Sequence, residues 1–188
     1  MVDARIVQTT KALHTAIVEL ASTRAVSSIS VADVTRAAGI NRATFYSHAT
    51  SPGSLLTAVL TPELDAIRDE DHALRLEGRA DGSDATRRAM EKVVDHVVRY
   101  REIYRLALPD PLDASIHQAL ARHSAESSVQ HLGPPPAGSL PEGLAAHTAA
   151  RHLAHGLVGA SEARPGGKRP SRRALRDPMN LMLPTWWG

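Results

Sequence analysis

The chain has 188 residues, with 22 Lys plus Arg, 20 Asp plus Glu, ten His, no Cys and six aromatic side chains. That length suits one compact body with at most a small added lobe, and it excludes a large multidomain enzyme. Without Cys there can be no disulfide framework, thiolate nucleophile or Cys-ligated zinc. A net charge of +2 does not by itself point to nucleic acid, although 19 of the 22 cations are Arg, whose forked donors suit phosphate and guanine.

No apolar run reaches the roughly 18 residues a membrane span needs; the longest stretch free of charge, Ala43 to Pro62, is rich in Thr, Ser, His and Pro. The first residues read as an amphipathic helix rather than a secretory signal, so a cytoplasmic protein with no membrane association is expected.

Ile6, Leu13, Ile17 and Leu20 recur at helical spacing and predict a first helix over 4–21. Ser30, followed by Val31, Val34 and Ala38 with Asp33 at the third position, resembles a capping box and predicts a short helix over 31–38. Gly39 can take positive φ and stop that helix, and Asn41 can cap the next by accepting from an amide near Thr44, which places a third helix over 42–48. Ser51–Pro52 is an N-cap and first-turn pair for a fourth, whose interior Pro62 predicts a kink or break. Residues 77–84 carry two Gly and no large apolar residue and read as a loop. A fifth helix then presents Met90, Val93, Val97, Tyr100 and Tyr104 on one face and ends before Pro109.

A weaker helix follows over 112–131, then a stiff connector over 133–143 holding four Pro and three Gly. Residues 144–163 are Ala-rich, and Gly156, Gly159 and Ala160 permit close helix contact within the chain or with a second copy. Arg164 to Arg176 carries six cations and no acid, and an apolar tail with Trp186 and Trp187 completes the chain. Every element predicted is helical.

The informative stretch is Ser30 to His48, SVADVTRAAGINRATFYSH. Two short helices about a Gly-centred turn, the second opening on polar residues with Phe45 where it must pack inward, form a helix-turn-helix. A major groove about 12 Å wide admits one α-helix, whose N-terminal side chains reach base edges. Arg42 can fork onto guanine, Ala43 can touch a thymine methyl, and Thr44 can bond a base or a phosphate. Tyr46 and His48 follow on the groove wall, where each can donate to phosphate oxygens.

These residues resemble the TetR/AcrR family of bacterial transcriptional regulators. The likeness rests on Ile6 and Leu13, then Ser30-Val31, Asp33-Val34, Ala37-Ala38-Gly39-Ile40, and Arg42-Ala43-Thr44-Phe45-Tyr46 with His48, and it covers about residues 5–60. It implies an all-α protein in which residues 1–50 form a three-helix DNA-binding domain. Residues 51–188 are then a helical regulatory and dimerisation bundle, with helix four, about 51–76, as connector. It further implies a homodimer through the C-terminal helices, a pseudo-palindromic double-stranded operator, and a small-molecule effector of unknown identity that releases a repressor. Carried over by position, DNA contacts fall on Ser30, Arg42, Ala43, Thr44, Tyr46, Ser47 and His48. A Lys common at the start of the family's fourth helix is Pro52 here, so fewer ionic contacts and a shallower salt dependence are expected.

Candidate effector-contacting residues, from periodicity, are Met90, Val94, Val97, Tyr100 and Tyr104. His147, His152 and His155 have a spacing that could present two imidazoles to a metal, but neither a third ligand nor an HExxH pattern accompanies them, so no metal site is expected. No Gly-rich phosphate loop or GxSxG elbow is present, and neither enzymatic activity nor a cofactor is expected. The rival readings are a ligand-independent DNA-binding regulator under a protein partner, and a His-dependent metal-binding helical bundle. The basic run 164–176 reads as a solvated segment, and Pro178 shifts the expected dimer surface toward residues 144–163.

Overall fold

The computed structural model describes residues 4–77, 82–132, 140–162, 173 and 177. Among them lie eight α-helices and no strand, as the all-α expectation requires: α1 Ala4–Ala21, α2 Val31–Ala38, α3 Arg42–Tyr46, α4 Pro52–Leu76, α5 Gly82–Arg99, α6 Arg101–Ala107, α7 Ser115–Leu132 and α8 Ala146–Glu162. None of the described helices is long and apolar enough to cross a membrane. The basic run, apart from Arg173, and the Trp-bearing tail lie outside the described residues. The chain forms two compact units, residues 1–62 with 100–118, and residues 63–99 with 119–188.

In the first unit α1 packs on α2 and α6, and α2 on α3. Its core joins Leu13 and Ile17 of α1, Val34 of α2, Phe45 of α3, Leu55, Leu56 and Leu60 of α4, Ile103 and Tyr104 of α6, and Ile116 of α7. The boundary therefore differs from a division at residue 50. The first turns of α4 supply core leucines to the helix-turn-helix, and residues 100–118 return to close it. Asp110 anchors that return. Its buried carboxylate accepts the backbone N–H of Ser27 at 3.0 Å and that of Leu112 at 3.1 Å. Burial alone would raise this carboxyl, but the N–H groups of Ser27 and Leu112 outweigh it and hold the pKa below the ordinary carboxylate range.

Pro62 does not interrupt α4, which is assigned continuously from Pro52 to Leu76. Proline at this position deprives the Ala58 carbonyl of its helical donor, but Ala58 and Pro62 are both exposed, so water can supply the missing bond. The helix expected from Met90 to Tyr104 is divided. Tyr100, at φ −101° and ψ 22°, separates α5 from α6, while its carbonyl still accepts from Tyr104 N at 3.0 Å. α5 also begins at Gly82, inside the expected loop 77–84. Ser83 and Asp84 are residue types favoured in a first helical turn, a signal outweighed in the sequence by the two glycines.

The second unit has a core of unusual chemistry. Leu64, Ile67, Val94 and Leu153 are buried with the small residues Ala149, Ala150 and Ala154 of α8, and with two imidazoles. His96 of α5, 0 % exposed, is paired through Nδ1 with Glu63 Oε2 at 2.9 Å, and Arg99 donates to the same carboxylate at 2.8 Å. His123 of α7 is paired with Asp65 Oδ1 at 3.0 Å, beside the Arg68 pairs to Asp65 and Glu126. Burial lowers the pKa of both histidines below the ordinary imidazole value despite their carboxylate partners. Each is thus a neutral ring donating Nδ1–H at neutral pH.

A neutral buried histidine binds fewer protons than its unfolded counterpart once the pH falls to the unfolded value of about 6.5. Stability therefore declines as pH drops through 6.5 toward the lowered native values, and His14, also lowered by burial and by the neighbouring His48 charge, acts in the same direction. The thermal midpoint is expected to fall between about pH 7 and pH 5, with a smaller slope in a His96→Gln, His123→Gln variant. A midpoint constant or rising over that interval in the parent protein excludes neutral buried imidazoles.

Candidate nucleic-acid interface

The helix-turn-helix is built by local hydrogen bonds. At the start of α2 the Ser30 hydroxyl accepts Asp33 N–H at 3.1 Å, and the Asp33 carboxylate accepts Ser30 N–H at 3.0 Å, which completes the capping box. The Ser30 N–H, then the Ser30 hydroxyl, hold the Asp33 carboxyl below the ordinary range; Arg24, 3.1 Å away, adds to this. Gly39 stops α2 at φ 66° and ψ 31°, a left-handed conformation that costs a side-chain-bearing residue more than glycine. Asn41 Oδ1 then accepts Thr44 N–H at 2.8 Å and opens α3.

α3 has one buried side chain, Phe45, at 0 % exposure. Next to it, Tyr46 is 49 % exposed and meets the Phe45 ring edge-on, with centroids 5.5 Å apart and planes at 85°. Arg42 Nη2 donates to Tyr46 Oη at 3.0 Å, and its guanidinium carbon lies 5.5 Å from the tyrosine ring centroid. The spacing of four residues signals such a pairing in sequence, but only the rotamers bring it about.

The seven sequence-derived contact residues all lie in the first unit, and Ser30, Arg42, Ala43, Tyr46 and Ser47 are exposed. Their donors are not equally available. The Ser30 hydroxyl donates to Asp33 Oδ2 at 2.8 Å, that of Thr44 to Asn41 Oδ1 at 3.0 Å, and that of Ser47 to the Thr44 carbonyl at 2.7 Å. Each of these protons is committed to a cap or turn. A phosphate oxygen only accepts, so these hydroxyls could reach it only by giving up those bonds. His48 Nδ1 lies 3.4 Å from Thr10 Oγ1, whose own proton goes to the Ile6 carbonyl at 3.0 Å. In that arrangement the imidazole donates Nδ1–H to Thr10, which ties the end of the helix-turn-helix to α1. Arg42 and Tyr46 retain outward donors: the rest of the guanidinium fork and the phenolic O–H.

No protein-family profile matches the chain, and no curated protein shows significant similarity to it. Among solved structures, the fatty acid degradation regulator FadR from Bacillus halodurans superimposes with a TM-score of 0.52 at 13% identity, over 86% of this chain and 84% of that one. The chain has the fold of that regulator. A chain from Rhodococcus sp. described as a TetR-family transcriptional regulator aligns at 24% identity, over 90% of this chain and 95% of that one, with a TM-score of 0.44.

Within this fold the candidate effector-contacting residues fall in different places. Val94 is buried and Met90 and Val97 are half-buried on α5 in the second unit, whereas Tyr100 and the buried Tyr104 belong to the first. His147, His152 and His155 stand exposed on α8, and no group of three or more His, Asp or Glu able to hold a metal occurs among the described residues. The pairs Glu63–His96 and Asp65–His123, in which the imidazole alone is buried, carry no sequence signal, because pairing across helices leaves no periodic trace.

Proposed function

We propose that this chain is a sequence-specific DNA-binding transcriptional regulator that reads a pseudo-palindromic operator as a homodimer, with α3 in the major groove. The observation that supports it best is the exposed Arg42–Tyr46 pair, mounted on a short helix that Phe45 anchors, in a chain with the fold of a known regulator. Arg42 and Tyr46 are the principal donors to DNA; Ala43 supplies apolar contact, and Ser30, Thr44, Ser47 and His48 shape the surface more than they grip phosphate. Repression released by a small molecule follows as population shift: an effector contacting Met90, Val94 and Val97 of α5 favours a dimer whose two recognition helices no longer match successive grooves about 34–36 Å apart. Residues 144–163 are the proposed dimer surface, and a cytoplasmic location accords with this role.

The test is selection of genomic fragments by the purified protein at two salt concentrations, with an Arg42→Ala, Tyr46→Ala variant as control. Enrichment of one two-fold-symmetric sequence by the parent protein and its loss in the variant is the expected result. With few free donors, the salt slope should be shallow, at about 0.9 per neutralised phosphate. Equal retention of fragments by both proteins refutes the assignment of α3 as the reading helix.

A further inference from the structure

Tyr46 carries an unusual combination of contacts for a half-exposed tyrosine. Its ring stands in a T-shaped contact with the fully buried Phe45, and its hydroxyl oxygen accepts from Arg42 Nη2 at 3.0 Å. The Arg42 guanidinium also lies 5.5 Å from the ring centroid. A free arginine on a helix surface samples many rotamers, and ordering it on a base costs side-chain entropy. Here one N–H and one ring hold the guanidinium before any DNA arrives. The hydrogen bond uses a single donor of a five-donor group, so both terminal nitrogens keep N–H groups for the O6 and N7 acceptors of a guanine.

We propose that Tyr46 is the positioning residue for Arg42 and thereby sets sequence specificity at one base pair of each half-site, in addition to any contact with the backbone. This rests on the reading of α3 as the recognition helix. A purely backbone-contacting tyrosine and a positioning tyrosine make different predictions. The former weakens every sequence alike when lost; the latter flattens preference at the position Arg42 reads.

The experiment begins with selection from a randomised duplex pool by the parent protein, which identifies the preferred site. Tyr46→Phe, Arg42→Lys, Arg42→Ala and the Tyr46→Phe, Arg42→Ala double variant are then compared on that site and on its single-base changes. Circular dichroism melts confirm that each is folded. Tyr46→Phe is expected to lose about threefold to tenfold discrimination at the one base pair where Arg42→Ala also loses it, with the salt slope unchanged. Arg42→Lys should lose preference at that base pair too while keeping the charge. The double variant should be no worse there than Arg42→Ala alone. A uniform loss across all sequences in Tyr46→Phe, losses at different base pairs, or additive losses in the double variant overturns the positioning role while leaving the DNA-binding reading intact. Failure of the parent protein to select any two-fold-symmetric site overturns both.

Discussion

Phe45→Ala is expected to cost about 3–5 kcal/mol, because it deletes a fully buried ring and leaves a cavity that its neighbours fill only in part. A helix of five residues cannot sustain itself in water, and α3 has no other buried side chain to hold it to the unit. The edge-on contact with Tyr46, with centroids 5.5 Å apart, goes at the same time. For a protein of this size the thermal midpoint should drop by about 6–20 °C. Tyr46→Ala, which removes a half-exposed ring from the same helix, is the matched control and should move it much less. Equal midpoints for the two variants, followed by far-UV circular dichroism, show that Phe45 is not the anchor.

Gly53→Ala is the second large effect. Alanine ordinarily gains about 1 kcal/mol over glycine inside a helix, so substitution in α4 would be expected to stabilise. At this position an added Cβ meets Asp113 Oδ2 and Ser115 Oγ, each at 2.5 Å. Neither neighbour yields freely: Asp113 Oδ1 accepts the Ser115 backbone N–H at 2.9 Å at the start of α7, and Ser115 Oγ is buried. Displacing that cap costs about 1 kcal/mol, and overpacking adds about 1–3 kcal/mol, so the net change is destabilising. Urea unfolding provides the measurement, and the Gly53→Ala, Asp113→Ala pair supplies the internal check. With the carboxylate gone, the second substitution should recover part of the loss, whereas strictly additive losses would place the strain elsewhere.

The parts legible in the sequence are those settled by residues close in the chain. α1 and α2 occupy the expected 4–21 and 31–38, Gly39 takes the expected positive φ, and Asn41 bonds the expected Thr44 amide. Capping and turn chemistry act over a few residues, and one sequence contains all of it. The Asp110 anchor, the approach of Asp113 and Ser115 to Gly53 and the burial of His96 and His123 depend on partners tens of residues away. Tyr104 shows the limit clearly. Periodicity placed it on the same face as Met90, but it is buried with the α6 residues of the other unit. For the candidate interface, the residue types were readable and the disposition of protons was not. Whether a serine or threonine offers its O–H outward is decided by rotamers, and three of the hydroxyls turn theirs inward.

The first unit is discontinuous in sequence, with residues 1–62 completed by 100–118. On the ribosome, its hydrophobic surfaces emerge long before the segment bearing Ile103, Tyr104 and Asp110 that covers and anchors them. At synthesis rates of about 5–20 residues per second, the intervening stretch imposes a delay of seconds, during which the nascent helix-turn-helix is exposed to chaperones or to other chains. Its candidate interface therefore matures only after residues 63–99 of the second unit have been translated, and a fragment ending at Pro62 lacks the residues that complete its core.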